Sequence, residues 1–166
     1  MTKMPRIAIV RGLCLGFAAI AAAACGDDDG VEVLECTGTC TCDEATRTCS
    51  CQGSDSACVI GAARDVTLAC EGNAACDLEC GVGCTVDCRG TAGCTAEVGD
   101  RGHAVCGGTA LCDVTCHGSC TADCSGSSQC LLRCAEGATC DFEGCPMATD
   151  CGGGVFACRG DCPPPA

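Results

Sequence analysis

The chain has 166 residues, of which 26 are Cys and 24 are Gly, while Trp and Tyr are absent and Phe occurs three times. So few bulky apolar side chains exclude an ordinary globular core, and cross-links are expected to take over much of its role. The net charge of −13 leaves no basic footprint, so nucleic acid is not an expected partner.

From the start, Met1 to Arg11 is basic through Lys3, Arg6 and Arg11, and Gly12 to Ala24 is apolar and small. This is the pattern of a secretory signal peptide over residues 1–24, with an apolar core too short for a membrane-spanning helix. Its removal takes away the only lysine and moves the charge from −13 to −16; Phe17 goes too, leaving Phe142 and Phe156 as the aromatics. The stretch Ala22-Ala23-Ala24-Cys25 resembles the lipobox of bacterial lipoproteins, with Ala22 standing where that family prefers Leu. The resemblance implies cleavage before Cys25 and lipidation of Cys25 with three acyl chains, enough for stable attachment where one chain is marginal. The alternative is an ordinary signal peptide cut after an Ala-x-Ala motif, which would leave the product secreted.

Parity favours the lipidated form. Cys14 leaves with the leader, and giving Cys25 to lipid leaves 24 cysteines, an even number able to pair completely. Export also delivers the chain to an oxidising compartment, where such pairing persists. Residues 25–35 then read as the lipidated Cys25 followed by an acidic tether. Residues 36–58 carry Cys36, Cys40, Cys42, Cys49, Cys51 and Cys58 at irregular spacing and are expected to form an N-terminal cap. Two disulfides of open pairing would close it, and Cys51 to Cys58 looks like a repeat corner with one residue inserted. A solenoid needs such a cap because its first coil otherwise exposes an edge.

Residues 59–137 are read as the solenoid repeats, and within them the residues from Val66 to Gly137 repeat every eighteen. In register they read VTLACEGNAACDLECGVG, CTVDCRGTAGCTAEVGDR, GHAVCGGTALCDVTCHGS and CTADCSGSSQCLLRCAEG. Such a period signals stacked copies of one supersecondary unit. Each unit holds two runs of the type Cys84-Thr-Val-Asp-Cys88, whose strict alternation is the period of a β-strand. The inward columns are Leu68, Val86, Ala104, Ala122 and Leu78, Ala96, Val114, Leu132, and the outward residues are mostly Thr, Asp and Glu. Corners come from Gly-rich links such as Gly81-Val-Gly83. The expected fold is all-β, a disulfide-rich parallel β-solenoid with about 18 residues and two short strands per coil. A hairpin meander would place Cys on one face equally well.

The repeats also propose their own connectivity, which cysteine counting alone does not. Cys70 and Cys76 recur as Cys88 and Cys94, Cys106 and Cys112, and Cys124 and Cys130, each pair spanning a corner. At the other corner Cys80 and Cys84 recur as Cys116 and Cys120. The intervening unit has Val98 and Gly102 instead, and the preceding one Ala62 and Val66. Loss in pairs is what a covalent partnership predicts, so Cys80–Cys84 and Cys116–Cys120 are expected bridges. After Cys134 the period slips by two, which makes Cys140 its partner. Residues 138–166 read as degenerate last coils and a Pro-rich tail ending in Pro163-Pro164-Pro165, with Cys145–Cys151 and Cys158–Cys162 as expected bridges.

Chemistry is sparse. Cys40-Thr-Cys42 and Cys49-Ser-Cys51 have the spacing of metallothionein-like clusters, but an oxidising destination and even parity favour disulfides. No Cys-x-x-Cys occurs, which removes the usual redox and zinc-ribbon signals. His103 and His117 fall at exposed positions with no nucleophile placed beside them, so no catalytic residue, metal ligand or cofactor is assigned. Arg159-Gly-Asp161 matches an integrin-type tripeptide and is read as coincidence. The outward Thr67, Thr85 and Thr121 column faintly resembles the threonine rows of disulfide-stapled insect antifreeze solenoids, though His103 interrupts it.

Taken together, the leader and the Cys-x-Val-x-Cys-x-Gly pattern resemble cysteine-rich repeat lipoproteins of Gram-negative bacteria, myxobacteria among them. The expected protein is an extracytoplasmic lipoprotein anchored to a bacterial membrane, the outer membrane or cell surface. It would act as a non-enzymatic structural or interaction module, with room for an unknown surface protein or glycan as partner. Two other readings stay open. One is metal binding, either calcium on the acidic outward columns or soft metal on free thiols. The other is ice binding.

Overall fold

The computed structural model describes residues 33–37, 40–53 and 57–164. The leader, Cys25 and the first part of the tether lie outside the described residues. The N-terminal strands are β1 (Val33–Thr37), β2 (Cys40–Asp43), β3 (Thr48–Gly53) and β4 (Ala57–Arg64). The repeats contribute β5 (Thr67–Gly72), β6 (Ala75–Val82), β7 (Thr85–Cys88), β8 (Gly93–Val98), β9 (Gly102–Cys106), β10 (Leu111–Cys116), β11 (Cys120–Cys124) and β12 (Gln129–Cys134). The C-terminal strands are β13 (Cys140–Glu143), β14 (Thr149–Gly152) and β15 (Val155–Cys158).

From β3 to β14 successive strands alternate between two sheets. One has eight strands in the order β1-β4-β6-β8-β10-β12-β15-β14, and the other seven in the order β13-β11-β9-β7-β5-β3-β2. From β4 to β12 in the first sheet, and from β3 to β13 in the second, every neighbour is parallel. The chain is therefore a parallel β-solenoid. Its alternation is the cause: Leu68, Leu78, Ala96 and Leu132 are at most 1% exposed, while Thr, Asp and Glu between them face water. Both inward columns expected from the repeats are buried.

Between the sheets the space beside Val86, Ala96, Ala104 and Val114 amounts to about 10 Å³, at or below what one water molecule needs. A core of half-cystines, Ala, Val and Leu fills the coil completely. At one corner Gly72, Gly90, Gly108 and Gly126 recur with φ between 67° and 82°, a region closed to most L-residues. Space demands glycine as well, since a Cβ on Gly90 would stand 2.8 Å from Gly72 O. The corner backbone stays in the ladder: Cys70 O accepts from Arg89 N, Cys88 O from Gly107 N and Cys106 O from Ser125 N, each at 2.9 Å.

Bridges Cys70–Cys76, Cys88–Cys94, Cys106–Cys112 and Cys124–Cys130 cross that corner with Cα separations of 6.3 to 6.4 Å. Cys116–Cys120 and Cys134–Cys140 cross the other. The two-residue slip after Cys134 is absorbed in the link between them, and β13 returns to register with Cys140 beside Cys120. At the N-terminal end β2 and β3 form an antiparallel hairpin closed by Cys40–Cys51 and Cys42–Cys49. Cys51 aligns with Cys70 and Cys58 with Cys76; residues 54–56 between them lie outside the described residues. Any bridge of Cys36 or Cys58 falls outside what is described.

Three expectations are corrected. Cys80 and Cys84 are not bridged; both are free and buried. The reason lies in strand length: β10 ends at Cys116, whereas β6 runs past Cys80 to Val82 and turns only at Gly83, with φ 72°. Secondly, Cys145 bonds Cys158 and Cys151 bonds Cys162, in place of Cys145–Cys151 and Cys158–Cys162. Beyond β13 the chain stops coiling and reverses into the β14–β15 hairpin, with β15 antiparallel to β12. Neighbours in sequence there cease to be neighbours across a corner. Thirdly, β1 begins at Val33, inside the stretch read as tether, and pairs antiparallel with β4.

Candidate functional site

Side chains on the outer faces form straight rows because stacked parallel strands are in register. On the seven-stranded sheet one row reads Thr48, Thr67, Thr85, His103, Thr121, Asp141. The threonine column is thus one residue longer than the repeats suggested, and still broken at His103. The adjacent row includes Asp87 and Asp123, and Asp87 accepts a 2.6 Å bond from Arg89 Nε.

The eight-stranded sheet carries the more distinctive surface. Its outward row Val59, Asp77, Thr95, Asp113, Leu131 runs beside a second row, Ala75, Gly93, Leu111, Gln129. Between them lies an open groove of about 710 Å³, with Gly160 and Asp161 lining its far end. Val59 is 36% and Leu111 56% exposed. Arg133 binds Asp113 through two contacts of 2.9 and 3.1 Å. Asp77 and Asp161 make no ion pair among the described residues.

The histidines are kept apart. His103 lies on β9 in the seven-stranded sheet, whereas His117 follows β10 and stands 3.3 Å from Glu97. No base-nucleophile pairing results. Three groups of cysteine sulfurs come within 4.8 Å of one another: Cys70, Cys88 and Cys94; Cys106, Cys112 and Cys130; Cys116, Cys120 and Cys140. All nine are half-cystines, and a sulfur held in a disulfide offers no thiolate to a metal. Among the described residues the free thiols are Cys80 and Cys84. Burial pushes the Cys84 thiol above its ordinary pKa, and the Asp65 carboxylate adds to this, against a backbone hydrogen bond at Val66 that favours the thiolate.

Arg159 was missed as a structural residue. Its Nη1 donates to Cys124 O at 3.2 Å and Ser128 O at 3.4 Å, and its Nη2 to Gly144 O at 3.4 Å. The guanidinium thereby occupies carbonyls that the next coil would have used. The tripeptide Arg159-Gly-Asp161 is split by this: the arginine caps the ladder, and the aspartate lines the groove. Only its position after the last repeat could have signalled the role.

Comparisons with protein-family models, with curated proteins and with solved structures return no match.

Proposed function

We propose that the protein is an extracytoplasmic, membrane-anchored module that works by presenting a rigid surface, without enzymatic activity. The observation that carries this reading is the sulfur inventory: ten disulfides join twenty of the described cysteines. Such density persists only in an oxidising compartment, in accord with the leader and the lipobox-like Ala22-Ala23-Ala24-Cys25. A filled interior and histidines held apart support a surface role over catalysis. The acidic tether separates the folded body from the lipid, and the straight rows of the two sheets supply faces for a surface protein or glycan.

The test is expression in a bacterial host with an alkyne-bearing palmitate analogue. Wild-type protein is expected to take up the label and sediment with membranes, and Cys25→Ser to lose both properties. Unlabelled wild-type protein in the medium would overturn the anchor and leave a secreted module. Thiol titration with mass mapping of the unfolded, unreduced protein separates the structural reading from soft-metal binding. Thiols confined to Cys80 and Cys84 among the described cysteines agree with the former, whereas ten or more that vanish on adding zinc or copper would replace it.

A further inference from the structure

We propose that the groove on the eight-stranded sheet is a docking site for an extended peptide segment carrying two basic side chains six residues apart, with a small apolar residue two positions after the first. This deepens the interaction-module reading and rests on it. The first observation is Gly93. It opens β8 with no left-handed φ, and a Cβ built on it meets nothing within 4 Å. Neither backbone conformation nor packing requires glycine there, and glycine weakens a strand. What it does is leave a notch between Ala75 and Leu111, in line with the register of their strands. A strand glycine with open space above it is a place where another chain can approach closely.

The second observation is charge. Asp77 and Asp161 lie toward opposite ends of the groove, and the carboxylate between them, Asp113, is already neutralised by Arg133. From β6 to β15, the strand that Asp161 follows, there are four strand spacings, on the order of 19 Å. An extended peptide rises about 3.4 Å per residue and sends every second side chain the same way. Residues i and i+6 therefore reach the two free carboxylates, while residue i+2 enters the notch above Gly93 against Leu111. A second copy of this chain is a poor occupant, since it brings the same net charge of −13 and the same carboxylates.

The experiment uses the purified full-length protein and a fluorescent nonapeptide with lysine at its second and eighth positions and valine at its fourth. Anisotropy is expected to show saturable binding that weakens with salt. A peptide of identical composition with its two lysines adjacent should bind at least tenfold more weakly. Asp77→Asn and Asp161→Asn should each lower affinity about threefold, as exposed ion pairs do. Gly93→Phe should abolish binding while disulfide mapping and melting stay unchanged, because the side chain enters open space. If Gly93→Phe disturbs the fold, Leu111→Lys, which sets a like charge beside the peptide at an exposed position, serves instead. Equal binding of both peptides, persistence of binding in a folded Gly93→Phe or Leu111→Lys protein, or no binding at all overturns the proposal. None of these outcomes bears on the anchor, which Cys25→Ser tests separately.

Discussion

Gly102 is glycine because Val98 occupies its side-chain space: a Cβ built at 102 would overlap Val98 Cγ1. The φ of Gly102 does not require glycine; the crowding does. This pair sits at a corner that four coils fill in different ways. Ala62 aligns with Cys80, Cys80 with Val98 and Val98 with Cys116, while Gly102 aligns with Cys120. Alanine with valine, two thiols, valine with glycine, and a disulfide are thus alternative ways to fill one volume. The cysteines vanish in pairs because a filled corner needs complementary partners, whether or not a bond joins them.

Gly102→Ala is therefore expected to destabilise by about 1–3 kcal/mol through overpacking. Val98→Ala, which removes a fully buried side chain, should cost about 1–3 kcal/mol through the cavity it leaves. The double variant should cost less than the sum, with a coupling of about 0.5–3 kcal/mol in reversible denaturant unfolding with the disulfides intact. Strict additivity would mean that the two residues do not share that space.

Two glycines three positions apart should respond oppositely to alanine. Gly90 has φ 82° and a Cβ there meets Gly72 O, so Gly90→Ala should lose at least 1–2 kcal/mol by the left-handed backbone cost alone, roughly. Gly93→Ala relieves nothing and strains nothing. It should gain about 0.4–1 kcal/mol by restricting the unfolded chain. The sign of the second change, read by thermal melting, checks that Gly93 is dispensable for folding.

The solenoid was legible because each coil copies its neighbour's constraints: a fault in reading Val86 as inward would have had to repeat at Leu68, Ala104 and Ala122. The same redundancy made the bridges at Cys70–Cys76 and its copies readable. Where repetition stops, so does legibility. Cys145, Cys151, Cys158 and Cys162 belong to a hairpin whose reversal nothing in their spacing announces. Cys80 and Cys84 failed differently, since pairing by analogy with Cys116–Cys120 ignores the two extra residues that β6 carries beyond Cys80. The groove escaped notice because it depends on residues from several coils, and the repeat shows Gly93 only as part of a Gly-rich link.

The free pair at Cys80 and Cys84 gives the protein a pH-dependence of known sign. Burial holds the proton on Cys84 more tightly in the folded chain than in the unfolded one. Stability should then be level below the ordinary thiol value near 9.0 and fall as pH rises above it, since the unfolded chain releases its proton first. Cys84→Ala should flatten that decline. Alkylation of Cys80 and Cys84 should be slow in the native protein and complete once it is unfolded without reductant. Finding neither modified would mean that this corner is bridged after all.

Arg159 closes the ladder from outside the repeat, and its loss should be felt locally. In interior coils Ala74 O, Ala92 O and Ala110 O accept from the backbone N of Gly93, Leu111 and Gln129. Ser128 O and Cys124 O have Arg159 instead. Arg159→Ala leaves those carbonyls to water at a partly buried corner, with an expected cost of about 1–2 kcal/mol for charge-assisted hydrogen bonds. Arg159→Lys should recover little of it, because an ammonium cannot spread the planar fork over Cys124, Ser128 and Gly144. Hydrogen exchange is the discriminating measurement: protection should fall in β12 and β15 while β6 and β8 stay as they were. A uniform loss across all coils would show that the end is coupled to the whole stack, and that the arginine is more than a local cap.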